Sequence, residues 1–150
     1  MFFMIDHIDK KILSLLTQNS KLTIREISRE AHLSPTPVYE RIKKMENENI
    51  IQGYTIVVNN SKLDLNMVVF CHINLEIHHK DVIEQFEKDI LHFEEVIACY
   101  HLAGVTDYLL HVIVKDMVAY QEFLKNKLAS VKNIRKVQSA FVMEELKKRR

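Results

Sequence analysis

Residues 23–45 read TIREISREAHLSPTPVYERIKKM, and the places where this stretch breaks set the organisation of the whole N-terminal third. Thr23 followed three residues later by Glu26 is a capping box, in which each side chain satisfies the other's free backbone N–H, so a helix begins there. Its inward residues are Ile24, Ile27 and Ala31, and it stops about His32. Ser34-Pro35 then offers a new N-cap and a proline at the first helical position. The following helix, over about 35–48, keeps Val38, Ile42 and Met45 on one face, while Thr36, Tyr39, Glu40, Lys43 and Lys44 fall largely outside it. Two short helices joined by a tight turn are what a helix-turn-helix needs. The second helix must be held by the first and still leave a polar face free to enter a major groove. A three-helix bundle with a charged surface has the same pattern, so these helices leave both readings open.

Upstream, Ile5, Ile8, Ile12, Leu15 and Leu16 recur at spacings of three and four, with Asp6 and Asp9 where acidic groups favour a helix N-terminus. A first helix is expected over about 6–18, broken by Gln18-Asn19-Ser20. Downstream, Ile50-Ile51 leads through Gly53 into Tyr54-Thr55-Ile56-Val57-Val58, a β-branched run that reads as a strand packed beside the helices, the wing of a winged helix-turn-helix. Asn59-Asn60-Ser61 marks a loop, which puts the boundary near residues 58–65 and the N-terminal domain at 1–58.

Residues 66–150 read differently. Met67, Val69, Cys71, Ile73 and Leu75 are apolar at alternate positions, a strand with one buried face. Val82, Ile83, Phe86 and Ile90 recur at helical spacing, and two apolar segments, Val96 to Ala103 and Tyr108 to Val114, flank Gly104-Val105-Thr106-Asp107. Another helix carries Tyr120, Phe123, Leu124 and Leu128, and Ile134 to Glu144 is extended. The order βαββαβ predicts a ferredoxin-like α+β domain with two helices on one face of a four-stranded antiparallel sheet. Strict alternation puts Val96, Ala98, Tyr100 and Leu102 on one face of the second strand and Ile97, Cys99 and Ala103 on the other, so both faces are apolar. A sheet covered on one side should alternate more cleanly, and a homodimer in which a second subunit covers the other face is therefore expected.

The chain has 150 residues, 47% of them apolar, and a net charge of only +1. Its basic excess is local: Lys21, Arg25, Arg29, Arg41, Lys43 and Lys44 in residues 21–44, and the tail Lys147, Lys148, Arg149 and Arg150. The absence of a long apolar run or a leader pattern predicts a cytoplasmic protein with no membrane partner. Cys71 and Cys99 lie in apolar stretches without paired ligand spacing, and the eight histidines show none either, so no disulfide, metal or other cofactor is expected. Without a phosphate loop, nucleophile elbow or carboxylate pair, catalysis is not expected. Of the two glycines, Gly104 closes the hairpin, where positive φ and close approach of a ligand are available. The neighbouring N–H groups and the Asp107 carboxylate could meet the two charges of an amino acid. The plainer reading is a turn in which Asp107 accepts its own local hydrogen bonds.

Four segments, in order, carry a resemblance: Ile8-Asp9-Lys10-Lys11-Ile12-Leu13; Leu33-Ser34-Pro35-Thr36-Pro37-Val38 with Arg41-Ile42-Lys43-Lys44-Met45-Glu46; Ile50-Ile51-Gln52-Gly53-Tyr54; and Gly104-Val105-Thr106-Asp107-Tyr108. Over nearly the whole chain they resemble the leucine-responsive and asparagine-synthesis regulators, the Lrp/AsnC or feast/famine family, whose C-terminal domain is of the RAM type. The resemblance implies a transcription regulator on double-stranded DNA, associated with the nucleoid and built from homodimers that assemble to octamers or larger discs. It implies an amino-acid effector bound between dimers at Gly104, Val105, Thr106, Asp107 and Tyr108. It also implies that Ser34, Thr36, Pro37, Tyr39, Glu40 and Lys43 lie along the major groove, with Arg41 and Lys44 mainly on phosphates. His32 stands where the family often has glycine, a departure that histidine tolerates, and Asp64 stands where glycine commonly follows leucine. Two other readings stay open: an architectural DNA-compacting protein without an effector, and a ferredoxin-like enzyme or ligand-binding module carrying an incidental helical domain.

Overall fold

The first helix, α1 (His7–Gln18), starts where Asp6 and Asp9 cap each other: Asp6 accepts from the Asp9 N–H at 2.8 Å and Asp9 from the Asp6 N–H at 3.1 Å. Helix α2 (Ile24–Ala31) opens with the expected Thr23–Glu26 capping box. It ends in a Schellman turn, with His32 left-handed at φ 54° and the Leu33 N–H reaching the Ser28 carbonyl at 3.0 Å. Helix α3 (Pro35–Asn47) begins at Ser34, whose side chain makes no cap hydrogen bond, so Pro35 sets the start by its fixed φ. Asn49 closes α3 in a second left-handed turn, with the Ile50 N–H on the Met45 carbonyl. Ile12, Ile27, Val38, Ile42 and Met45 form the core of this three-helix unit. Ile5, counted in the apolar stripe above, precedes α1 and is exposed.

This computed structural model describes residues 4–146, which divide after Val58 into two units. The basic run Lys147 to Arg150 lies outside the described residues. One expectation fails in the first unit. The run Tyr54 to Val58 forms no strand; it is exposed, with Ile56 74% and Val57 67% accessible. A strand needs a hydrogen-bonding neighbour, and none lies beside this segment among the described residues.

The second unit opens with a 3-10 turn, Asn60–Leu63, that ends on Asp64 in the left-handed region at φ 61°. Asp64 thus adopts the conformation that favours glycine. The elements that follow are β1 (Met67–Leu75), α4 (Lys80–Leu91), β2 (Val96–His101), β3 (Tyr108–Val114), α5 (Met117–Glu122) and β4 (Ile134–Phe141). The sheet is antiparallel in the order β2-β3-β1-β4, the ferredoxin-like arrangement. Val69, Cys71, Ile73 and Leu75 of β1 and Tyr108, Leu110, Val112 and Val114 of β3 pack on Phe86 and Ile90 of α4, Tyr120 of α5 and Phe123 just beyond it. Beyond α5 the chain widens into a π turn, Phe123–Lys127, before a 3-10 turn at Leu128–Ser130. Phe123 and Leu128 are five residues apart, which an α-helix would splay by about 140°, and the wider turn lets both be buried.

The faces of β2 depart from strict alternation. The register against β3 shifts between Val96 and Ala98, so Val96 pairs with Val112 and Cys99 with Leu110 on the helix-covered face, while Ala98 and Tyr100 pair with His111 and Leu109 on the other. That other face carries no helix of this unit. It presents Val68, Phe70, Leu109 and His111, with the Phe70 and His111 rings 4.7 Å apart.

Candidate nucleic-acid interface and effector loop

On α3, the buried row Val38, Ile42 and Met45 fixes the helix, and the residues between these anchors define what it offers. Ser34, Thr36, Tyr39, Glu40, Lys43 and Lys44 are exposed, Tyr39 by 51%, and Pro37 is half-buried. Lys43 is restrained: its ammonium lies 2.8 Å from Glu46, which also accepts the Tyr54 hydroxyl at 2.8 Å, and 5.9 Å from the Tyr39 ring. The Glu46 carboxylate raises the Lys43 pKa, and Lys43 and Tyr54 lower that of Glu46. Burial, then Glu46, pushes the Tyr54 hydroxyl up to about 12.

Arg41 is placed differently from the phosphate contact expected of it. Its guanidinium meets Asp6 Oδ2 and Asp9 Oδ1, each at 2.7 Å, and Asp9 is buried. The Asp9 N–H first, then Arg41, hold the Asp6 carboxyl down at about 2, and both carboxylates raise the Arg41 pKa. Arg41 therefore ties α3 to the start of α1. Spacing carried this signal: three residues after Val38 and four before Met45, Arg41 lies within about 60° of the buried row.

The five residues of the expected effector loop separate into two groups. Gly104 and Val105 are exposed, Val105 by 95%, and Thr106 and Asp107 are half-buried. Tyr108, in contrast, is a core residue: its ring stacks on His101 at 4.5 Å, meets Phe86 at 4.7 Å, and its hydroxyl donates to Glu87 at 2.6 Å. Position 108 pairs with Ile73, whose side chain faces the helices, so the β period turns Tyr108 inward. Burial, reinforced by Glu87, raises its pKa. Gly104 has no positive φ, and a Cβ there would meet nothing within 4 Å. Among the described residues, the left-handed positions are His32, Asn49, Asp64 and Asn133 instead.

The Asp107 carboxylate is partly spent on the fold, through contacts across the sheet and not the local turn bonds of the plainer reading. Oδ2 accepts the Leu75 N–H at 2.7 Å, and His78 Nε2 lies 3.0 Å from Oδ1. The Leu75 N–H, then His78, lower its pKa. The Asp107 N–H and carbonyl are engaged by Ile73 and Leu102. Asn74 donates to the Val105 carbonyl at 2.9 Å, and His72 Nδ1 lies 3.5 Å from Thr106 Oγ1. Sequence reasoning passed over Asn74, His78 and Glu46, because contacts made across a turn or between elements leave no local period. Among the described residues, no group of three or more His, Cys, Asp and Glu side chains could hold a metal, and no helix is long and apolar enough to cross a membrane.

A helix-turn-helix joined to a ferredoxin-like α+β unit defines a two-domain DNA-binding regulator. Comparison with known proteins agrees segment by segment: residues 5–52 match a winged helix-turn-helix DNA-binding family and residues 68–150 the Lrp/AsnC ligand binding domain. The chain belongs to the Lrp/AsnC family of transcriptional regulators and is not an enzyme. It is 35% identical to the Bkd operon transcriptional regulator of Pseudomonas aeruginosa, covering 95% of this chain and 93% of that one. It is 37% identical to the leucine-responsive regulatory protein of Escherichia coli K12, covering 95% and 87%. Among solved structures, a Neisseria meningitidis transcriptional regulator in complex with L-Met superposes with a TM-score of 0.93 at 33% identity, covering 97% and 94%. Escherichia coli AsnC gives 0.90 at 25%, covering 99% and 98%.

Proposed function

We propose that this regulator reads specific DNA sequences through α3 and changes its DNA affinity or assembly on binding an amino acid or a related small molecule. One observation carries the reading: a rigid three-helix unit presents Ser34, Thr36, Tyr39, Glu40, Lys43 and Lys44 on the accessible side of a helix pinned by Val38, Ile42 and Met45. Tyr39, Glu40 and Lys43 meet base edges, with Ser34, Thr36 and Pro37 at the groove and Lys44 on the backbone. Arg41 positions the helix.

The effector side rests on residues 104–107, whose accessible tip stands on a fixed hairpin, and on the L-Met carried by the Neisseria relative. The acting unit is a homodimer joined through the open sheet face, assembling to octamers or larger, in the cytoplasm and on the nucleoid. The unpaired, exposed segment Tyr54 to Val58 fits the same reading, since two copies supply the strand neighbour that one copy lacks.

The test is footprinting on the protein's own promoter region with and without each of the twenty common amino acids. Lys43→Ala is expected to weaken binding there by about 1–3 kcal/mol and to relax the base preference. Equal losses on every DNA sequence would make Lys43 a phosphate contact, and footprints indifferent to every amino acid would favour an architectural role.

A further inference from the structure

Histidines gather around the hairpin loop, and one of them engages the carboxylate proposed to take part in effector binding. The two Asp107 oxygens differ in what holds them. Oδ2 is bound by a backbone N–H at the end of β1, a contact belonging to the sheet. Oδ1 meets the imidazole of His78, whose side chain is 56% exposed against 23% for Asp107. His78 lies between β1 and α4, outside both. The backbone beside it is clamped, since Asn133 accepts from the Ile77 N–H at 2.8 Å and donates to the Ile77 carbonyl at 2.7 Å. The imidazole can therefore swing into solvent while the chain stays in place.

We propose that His78 is a gating residue of the effector site: its imidazolium occupies Asp107 Oδ1 as a ligand's ammonium group would, and a primary-ammonium ligand binds by displacing it. This rests on the reading of residues 104–107 as the effector loop. The fixed Oδ2 keeps the carboxylate aimed, so the competition is between two cations for one oxygen. A protonated imidazole competes for that oxygen, and a neutral one yields it, while the ammonium of a free amino acid keeps its charge. The ligand thus binds more tightly at a pH that leaves the imidazole neutral.

Other ionisable groups on the elements meeting here are Glu76 after β1, His79, Lys80 and Asp81 at the start of α4, His72 in β1, His101 at the end of β2, and Lys132, Arg135 and Lys136 around Asn133 and the start of β4. Glu87 of α4 is taken by the Tyr108 hydroxyl. Of these, His101 also acts on the Asp107 carboxylate, in the same direction as His78.

Calorimetric titration of the full chain with each common amino acid, at about pH 5.5 and about pH 7.5, is compared between wild type and His78→Gln. The wild type is expected to bind about two- to fivefold more tightly at the higher pH, the range of an exposed ion pair. His78→Gln is expected to lose most of that difference by gaining affinity at the lower pH. In parallel, an amino acid that binds the wild type is expected to shift the His78 ring signals by NMR, because the ring leaves Asp107 Oδ1. Equal pH dependence in wild type and His78→Gln, or His78 ring signals indifferent to a bound amino acid, overturns the gate alone. No binding of any amino acid to either protein at either pH overturns the effector reading, and the gate with it.

Discussion

Arg41 stands in a basic stretch of α3, yet its guanidinium points back to the first turn of α1. Buried Asp9 accepts from it, so removing the guanidinium leaves a carboxylate in the core boundary with only its capping contact. Arg41→Ala should destabilise the N-terminal unit by about 1–3 kcal/mol, less than for a fully buried pair because Arg41 remains 31% exposed. Urea dependence of amide exchange at Ile12 and Val38 measures this, and Arg41→Lys should recover part of the loss. Unchanged stability with uniformly weaker DNA binding would return Arg41 to the phosphates. The same cluster sets an acid limit. The Asp6 carboxyl is depressed from 3.8 to about 2 in the folded chain, so its contribution is present above pH 3.8 and is lost as pH falls through about 2. Asp6→Asn should flatten the pH dependence of the N-terminal unit's unfolding across that window, as followed by circular dichroism.

At the level of elements, the left-handed turns show where the chain carries strain. His32 ends α2 at φ 54°, a conformation that costs a residue with a Cβ about 1 kcal/mol or more relative to glycine. Glycine's greater freedom when unfolded takes back part of this, so His32→Gly should stabilise by about 0.5–1 kcal/mol. His32→Val, β-branched, should destabilise by at least as much, and thermal unfolding reads both. The place of this turn was legible in the sequence, because Thr23–Glu26 and Ser34-Pro35 bracket it from either side. The five helices and four strands were legible for the same reason: each has its own period or cap. The bulge in β2 and the π turn after α5 were not, because each is an insertion relative to a period and is chosen by what packs across from it. The inward aim of Tyr108 follows from its register with Ile73, a partner thirty-five residues earlier, and the run Tyr54 to Val58 has β-forming residues without a neighbour to make them a strand. Of the candidate site, the exposed face of α3 could be read from helical spacing. Arg41's inward turn was present in that spacing too, but its carboxylate partners lie more than thirty residues away.

For the molecule as a whole, the uncovered sheet face and the near-zero net charge bear on each other. With a charge of only +1, one copy has little long-range attraction for DNA, and the proposed dimer would supply affinity by engaging two half-sites at once. Coupling the sites requires a firm joint, and in the proposed dimer the helix-free face of β1 and β3, with Val68, Phe70 and Leu109, would be an apolar one. Leu109 lies at its middle, paired with His72 on one side and Tyr100 on the other. In the isolated subunit, Leu109→Glu places its carboxylate toward water and should leave the fold intact. In a two-fold dimer each copy brings its own charge into the joint, where neither is solvated, and a penalty of about 3 kcal/mol weakens association more than a hundredfold. Static light scattering of the variant should therefore approach the 17.7 kDa of one chain, with circular dichroism unchanged and DNA affinity reduced well beyond the loss of any single phosphate contact. A variant that keeps the dimer mass would move the joint away from the sheet, and the exposed Tyr54 to Val58 segment would then be the surface to mutate next.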